Sequence, residues 1–200
     1  MPKAAEQIIG IYRRHTRAWT QLRGKRLTEK TWIDRFSAVL PPSPHVLDIG
    51  CGSGEPIAHY LIQQGCSVTG VDSSPEMIAI FAANLPEQMA IVADMRELNL
   101  TNDYDGLLAW DSFFHLCHDD QRAMFPLFAK HARAGAPLMF TSGPRHCEAI
   151  GAFEGDPLYH ASLAPCEYVH LLDIHGFDVV AHVAEDPTCG GRTVWLAKRR

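Results

Sequence analysis

Apolar positions recur along this chain with two different periods. Between Lys3 and Leu22, the residues Ile8, Tyr12, His15, Trp19 and Leu22 fall at i, i+4, i+7, i+11 and i+14, one stripe of a helix. Arg13, Arg14 and Arg17 land on the opposite face. Gly24 ends that segment, and a second amphipathic stretch, Thr28 to Leu40 with Trp32, Ile33 and Phe36, runs to a stop at Pro41-Pro42. Beyond it, short apolar runs predict strands over 46–49, 67–72, 90–95, 104–110 and 136–141. Helical segments over 56–64, 76–84 and 119–132 separate them, and Pro126 inside the last predicts a kink or a break. Ser74-Pro75 supplies an N-cap and a first-turn proline. A helix over 166–175 precedes two strands, 177–184 and 193–199, joined by a hairpin-like connection at 186–191. Strands and helices that alternate at such short intervals dictate a doubly wound α/β sheet, parallel with right-handed crossovers.

Two hundred residues with 46% hydrophobic and 20% charged content make a single globular unit with a substantial core. The formal charge of −5 gives no reason to expect nucleic acid as the main partner. Charge is nevertheless uneven: Arg13, Arg14, Arg17, Arg23, Lys25, Arg26 and Lys30 sit close together, as a solvated helix face or as an anion site. No run approaches the roughly 20 apolar residues of a membrane span. The start Met-Pro-Lys-Ala-Ala-Glu lacks the apolar centre of a signal peptide, so a soluble, cytoplasmic protein is expected. The six cysteines have no paired spacing, which favours reduced thiols. Nothing in the composition demands a partner, so a monomer is the default and a dimer is compatible with it.

Candidate chemistry concentrates in Val46-Leu47-Asp48-Ile49-Gly50-Cys51-Gly52-Ser53-Gly54, an apolar strand that ends in an acid and three glycines spaced two apart. Glycine tolerates φ > 0 and has no Cβ, so the main chain can pass close to a ligand before the next helix begins. The dinucleotide fingerprint Gly-x-Gly-x-x-Gly requires a third glycine where Glu55 stands, which disfavours NAD or FAD. The second strand ends in Asp72-Ser73, with a carboxylate placed to accept from two ribose hydroxyls. The third ends in Asp94-Met95, an acceptor for an exocyclic amine beside an apolar flank for a ring.

Asp48-x-Gly50-x-Gly52-x-Gly54, followed by Asp72 and Asp94, resembles the class I S-adenosylmethionine-dependent methyltransferases over about residues 46 to 199. The resemblance implies a Rossmann-like, mostly parallel seven-stranded sheet with a final antiparallel hairpin strand. Residues 1–42 would form an N-terminal helical lid and 43–200 the methyltransferase domain. It implies S-adenosyl-L-methionine as cofactor. Gly50 and Gly52 would hold its methionine part, with Asp48 shaping the turn, and Asp72 and Ser73 its ribose. Asp94 and Met95 would take the adenine, and the main chain at Trp110 the methionine amine. The first segment loosely resembles glycine N-methyltransferase, which implies that Tyr12 and Trp19 cover the cofactor. An arginine there would hold the methionine carboxylate, with Arg26 the closest match and Arg23 next.

Trp110-Asp111-Ser112-Phe113-Phe114-His115 follows the fourth strand, at the carboxyl edge where open α/β sheets bind ligands. His115, which titrates near neutrality when unperturbed, and Asp111 are therefore the candidate bases. The aperiodic stretch 142–164 reads as a loop covering the substrate and brings His146, Tyr159 and His160. His115-Leu-Cys117-His118 fits no zinc signature, so no metal is expected. The acceptor implied is a small molecule. An RNA methyltransferase using the basic segment, a non-catalytic cofactor binder and an NAD oxidoreductase are the rivals, and Asp111-Ser-Phe-Phe lacks the prolines of the adenine-amino enzymes.

Overall fold

The structure, a computed structural model, describes residues 3–200; Met1 and Pro2 of the expected N-terminal segment lie outside them. The sheet is built outward from β1 (His45–Ile49), where four consecutive buried residues mark a strand covered on both faces. β2 (Ser67–Asp72) and β3 (Met89–Val92) lie to one side of it, β4 (Gly106–Ala109) and β5 (Pro137–Ser142) to the other, all parallel. β8 (Phe177–Asp186) and β9 (Arg192–Arg199) complete seven strands in the order β3-β2-β1-β4-β5-β9-β8, with β9 antiparallel to both neighbours. This is the expected Rossmann-like sheet. Strand order reverses between β1 and β4, the switch point where the carboxyl ends of such a sheet open into a crevice.

Crossover helices α5 (Ile57–Gln63), α6 (Pro75–Asn84), α7 (His118–His131) and α8 (Pro165–Ile174) cover the faces. One face packs Phe113, Phe125, Phe128, Phe140, Tyr168 and Trp195; the other packs Trp32, Phe36, Leu61, Phe81 and Met139. Both halves of the core are aromatic-rich. The Ser74 hydroxyl accepts the Met77 N–H at 3.2 Å, which is the expected cap of α6.

Four expectations are corrected. The N-terminal helix is three pieces, α1 (Lys3–Glu6), α2 (Ile8–Arg14) and α3 (Thr16–Arg23), because at His15 the chain leaves helical geometry and the Thr16 hydroxyl takes the carbonyls of Tyr12 and Arg13. Leu22 consequently leaves the stripe and is 70% exposed. Strands three and four are shorter than expected, so that Asp94 caps a turn of 3-10 helix and Trp110 lies past its strand. α7 runs through Pro126 without a break.

The fourth correction matters most. The stretch 142–164 is no irregular loop: β6 (Cys147–Phe153) and β7 (Asp156–Ser162) pair as an antiparallel hairpin across Glu154-Gly155, both at positive φ. β6 is exposed along nearly its whole length, so no alternation advertised it. Phe153, Leu158, Tyr159 and Ala161 of this hairpin pack with Ile8, Ile11, Tyr12 and Trp19. The hairpin is thus the shelf on which the N-terminal helices rest.

β2 is pinned by size. A Cβ on Gly70 would lie 2.6 Å from the Phe81 ring and 2.8 Å from Cys51 Sγ. Gly70→Ala should therefore lose about 1–3 kcal/mol in urea unfolding through overpacking. Wild-type stability in that variant would show that the crossing of β2 over α6 is looser than its geometry.

Candidate functional site

The turn after β1 is shaped by residues that glycine alone permits. Gly50 and Gly52 have φ of 79° and 55°, and a Cβ on Gly50 would lie 2.3 Å from Ser112 Cβ. Ser112 in turn donates its hydroxyl to the Ile49 carbonyl at 2.7 Å, locking the segment after β4 against the turn. A Cβ on Gly52 would meet only Trp19 Nε1, at 4.0 Å, so this part of the turn faces open space roofed by the N-terminal helices.

Asp72 ties the turn to the next strand. Its Oδ2 accepts the Gly52 N–H at 3.0 Å and its Oδ1 the Ser74 N–H at 2.8 Å, while burial raises its pKa above the usual carboxylate range. Asp48 lies beneath, 5% exposed, with a pKa pushed up to about 7 by burial and then by the Asp72 charge. Asp94 accepts from the Arg96 main chain and guanidinium; burial pushes it up, but Arg96 outweighs this and holds it below its ordinary value.

A cavity of about 1160 Å³, open mouth included, gathers these groups. Asp48, Gly50, Gly52, Asp72, Ser73, Asp94, Met95 and Trp110 line it, as do Tyr12, Trp19, Asp111 and His115. Trp110 lines the cavity as a residue while its Nε1 is buried with no hydrogen-bond partner among the described residues. Arg26 is not in it: α3 ends at Arg23, Gly24 turns the chain at φ 58°, and Arg26 is exposed. Of the arginines of the N-terminal segment, Arg23 lines the cavity, paired with the fully buried Glu29; Arg96, beside Asp94, lines it as well.

A second cleft of about 860 Å³ shares Tyr12, Trp19, Asp111 and His115 with the first and adds Phe114, Ser142, Leu158, His160, Glu185 and Arg192. His160 sits against Phe114 and His115, with ring centroids 5.2 and 4.8 Å away. The other two residues expected from 142–164 lie elsewhere. The Tyr159 ring turns away and its hydroxyl donates to Glu148 at 2.8 Å, because on β7 its side chain and that of His160 point to opposite faces. His146 is exposed before β6 and stacks on His118 at 4.3 Å.

His115 is held at both nitrogens. The Tyr159 carbonyl, which can only accept, takes Nδ1–H at 2.8 Å, so Nε2 carries the lone pair and accepts the Tyr12 hydroxyl at 2.8 Å. Burial then depresses the pKa of His115 to about 3. Expectation and structure part here: the imidazole does not titrate near neutrality, because it is enclosed with no carboxylate beside it. Tyr12 is shifted the other way by burial and by Asp111 and Asp72, and stays protonated.

Sequence reading missed Arg192. It holds Asp111 through Nε and Nη2 at 2.7 to 2.9 Å across 81 positions of sequence. Being antiparallel, β9 delivers its first residue rather than its last to the ligand edge of the sheet, the one signal that could have found it. The basic segment also differs from an open anion site. Arg13 pairs with Glu76, Arg14 and His15 with Asp156, Arg23 with Glu29, Lys25 with Glu55 and Lys30 with Asp34. Among the described residues, no three His, Cys, Asp or Glu converge to hold a metal ion, and no helix is long and apolar enough to cross a membrane.

Residues 46–135 match the family model described as a methyltransferase domain. An O-methyltransferase of Pyrenophora dematioidea is 30% identical over 120 residues, 56% of this chain and 44% of the relative. A putative methyltransferase of Bacillus subtilis is 31% identical over 75 residues, 38% of this chain and 30% of its own length. The chain thus spans less than half the length of these curated relatives. Among solved structures, the 1,6-didemethyltoxoflavin-N1-methyltransferase of Burkholderia thailandensis, with its substrate and S-adenosylhomocysteine bound, superposes with a TM-score of 0.76 at 19% identity, covering 98% of this chain and 88% of that one. An amino pentose methyltransferase of Micromonospora echinaspora, bound to its S-adenosylmethionine, gives 0.71 at 19%, covering 92% and 96%. At such identity these likenesses establish the fold.

The state of His115 is measurable. Its ring should stay neutral, with imidazole carbon shifts flat in NMR between about pH 5 and 9, where an ordinary histidine titrates near 6.5. A midpoint near 6.5 would mean that the pocket is wet and the Tyr12 contact transient.

Proposed function

We propose that this chain transfers a methyl group from S-adenosyl-L-methionine to a small-molecule acceptor, a reading supported by the match of residues 46–135 to the methyltransferase-domain model. The observation that carries the reading is the pair of clefts that meet at Tyr12, Trp19, Asp111 and His115, one suited to a nucleoside, the other to an acceptor.

The first cavity fits the cofactor on its own terms. The open space above Gly52 accepts a ligand where a side chain would stand. Asp72 would take the ribose hydroxyls, Asp94 and Met95 the adenine, and the Gly50 to Gly52 main chain the methionine part. Arg23 replaces Arg26 as the partner of the methionine carboxylate. When bound, the cofactor supplies an electrophilic methyl on a sulfonium with an excellent leaving group. The residues around it then have to align, shield and desolvate. Residues 3–42 would act as the lid, with Tyr12 and Trp19 closing over the junction.

Neither Tyr12 nor His115 is a proton sink near neutrality. His115 orients the Tyr12 hydroxyl, whose oxygen keeps lone pairs to direct toward the acceptor. Asp111 is the remaining carboxylate at the junction and would receive any proton released. An RNA acceptor is not favoured, since five of the seven clustered cations are already in ion pairs within the chain.

Calorimetry tests this directly. S-adenosylmethionine and S-adenosylhomocysteine should bind at micromolar concentration and NAD should not, with Asp72→Ala weakening both by tenfold or more, about 1.4 kcal/mol. Affinity for the cationic sulfonium should rise as pH increases through about 7, where Asp48 ionises, and rise less for S-adenosylhomocysteine, which has a neutral thioether in its place. Binding of NAD alone would overturn the reading. Cofactor binding without methyl transfer to any small acceptor would leave a cofactor-binding protein in place of an enzyme.

A further inference from the structure

We propose that Arg192 is the residue that selects the acceptor, and that it does so by binding a carboxylate on a small, planar, ring-sized molecule. The inference rests on the methyl-transfer reading above. A guanidinium has five N–H donors in a planar fork. In Arg192 the Nε–H spans both Asp111 oxygens at 2.8 and 2.9 Å, one Nη2–H donates to Asp111 Oδ2 at 2.7 Å, and one Nη1–H donates to the Cys189 carbonyl at 2.8 Å. One N–H on each terminal nitrogen remains. Two such donors on one rigid plane match the two oxygens of a carboxylate.

The surroundings hold the fork open rather than fill it. A Cβ on Gly190 would lie 2.7 Å from Arg192 Nη1, so only glycine lets the guanidinium sit there. On the other side Asp111 adopts φ 50°, a conformation side chains rarely take, to put its carboxylate under the same group. Two left-handed positions from distant parts of the chain thus converge on one side chain, and the arginine retains 30% exposure into the second cleft. A purely structural ion pair would need neither.

Charge and shape point the same way. The Arg192–Asp111 pair is neutral as a unit, so the cleft presents its donors and not a bare cation. Glu185 lies exposed at the rim, where water and salt screen it. Between rim and junction the walls are Trp19, Phe114, Pro144 and Leu158, flat and apolar enough to stack on a ring. Arg192 lines only the second cleft, whereas Asp111, Tyr12 and His115 line both, so the carboxylate lies on the second-cleft side of the junction and the nucleophile on the side facing Tyr12 and His115.

The test uses the full chain saturated with S-adenosylhomocysteine and titrated with matched pairs: benzoate against benzamide, 4-hydroxybenzoate against 4-hydroxybenzamide, with benzylamine as the cation. In at least one pair the acid should bind tenfold or more tightly than its amide. Arg192→Met and Arg192→Lys, with melting temperatures recorded, should both abolish that preference while S-adenosylhomocysteine affinity stays within twofold. Lysine keeps the charge and the fold but not the fork. Equal binding of acid and amide, no binding by any acid, preference for the amine, or a preference surviving in Arg192→Lys would each overturn the inference alone. Failure of S-adenosylhomocysteine to bind the wild type would overturn the methyl-transfer reading and this inference with it.

Discussion

The hydrogen bond from the Gly52 N–H to Asp72 is the constraint on which the site depends. It joins the turn after the central strand to the end of its neighbour. The Gly50 and Cys51 N–H groups, both donated to the Val71 carbonyl, stitch the same two segments just before it. Because the turn is thereby fixed, Ser112 can press on Gly50 from the other side of the switch point, and the segment carrying Asp111 and His115 inherits its position. Both clefts are defined from this one junction. The cost is a half-buried carboxylate above a buried one, visible in the raised pKa values of Asp72 and Asp48.

That arrangement also has a pH signature with two opposing parts. His115 has a folded pKa of about 3 against about 6.5 unfolded, so between those values the unfolded chain binds the extra proton and stability rises with pH. Asp48 is shifted upward to about 7 from about 3.9, so across that window the folded chain binds the proton and stability falls as pH rises. Over about pH 4 to 6.5 the two oppose each other. The site can therefore bury two mistuned groups without concentrating their cost at one pH.

The half of the site around the glycine turn was legible in the sequence because its requirements are local. A glycine at positive φ, an acid at a strand end and a serine-proline cap each act within a few residues, so Gly50, Asp72 and Ser74 could be placed from spacing alone. The second cleft obeys no such rule. His160 reaches the cleft and Tyr159 does not because they sit on opposite faces of a hairpin strand, and the hairpin itself was hidden by an exposed outer strand. Arg26 was misplaced for a related reason: one turn at Gly24 decides which arginine faces inward. The basicity of His115 was misread because an isolated residue type carries its ordinary pKa, whereas burial belongs to the fold.

The N-terminal helices and the hairpin make one packed layer over the ligand edge of the sheet. They meet through Phe153, Tyr12 and Trp19, whose rings contact edge-on or stacked at 5.3 to 6.5 Å. Ion pairs add to this: Arg13 to Glu76 ties the layer to α6, and Arg14 with His15 to Asp156 joins the helices to the hairpin. Those pairs are largely solvent-exposed and so worth little each, whereas the aromatic contacts are sheltered. The layer is therefore registered by rings and only steadied by charge.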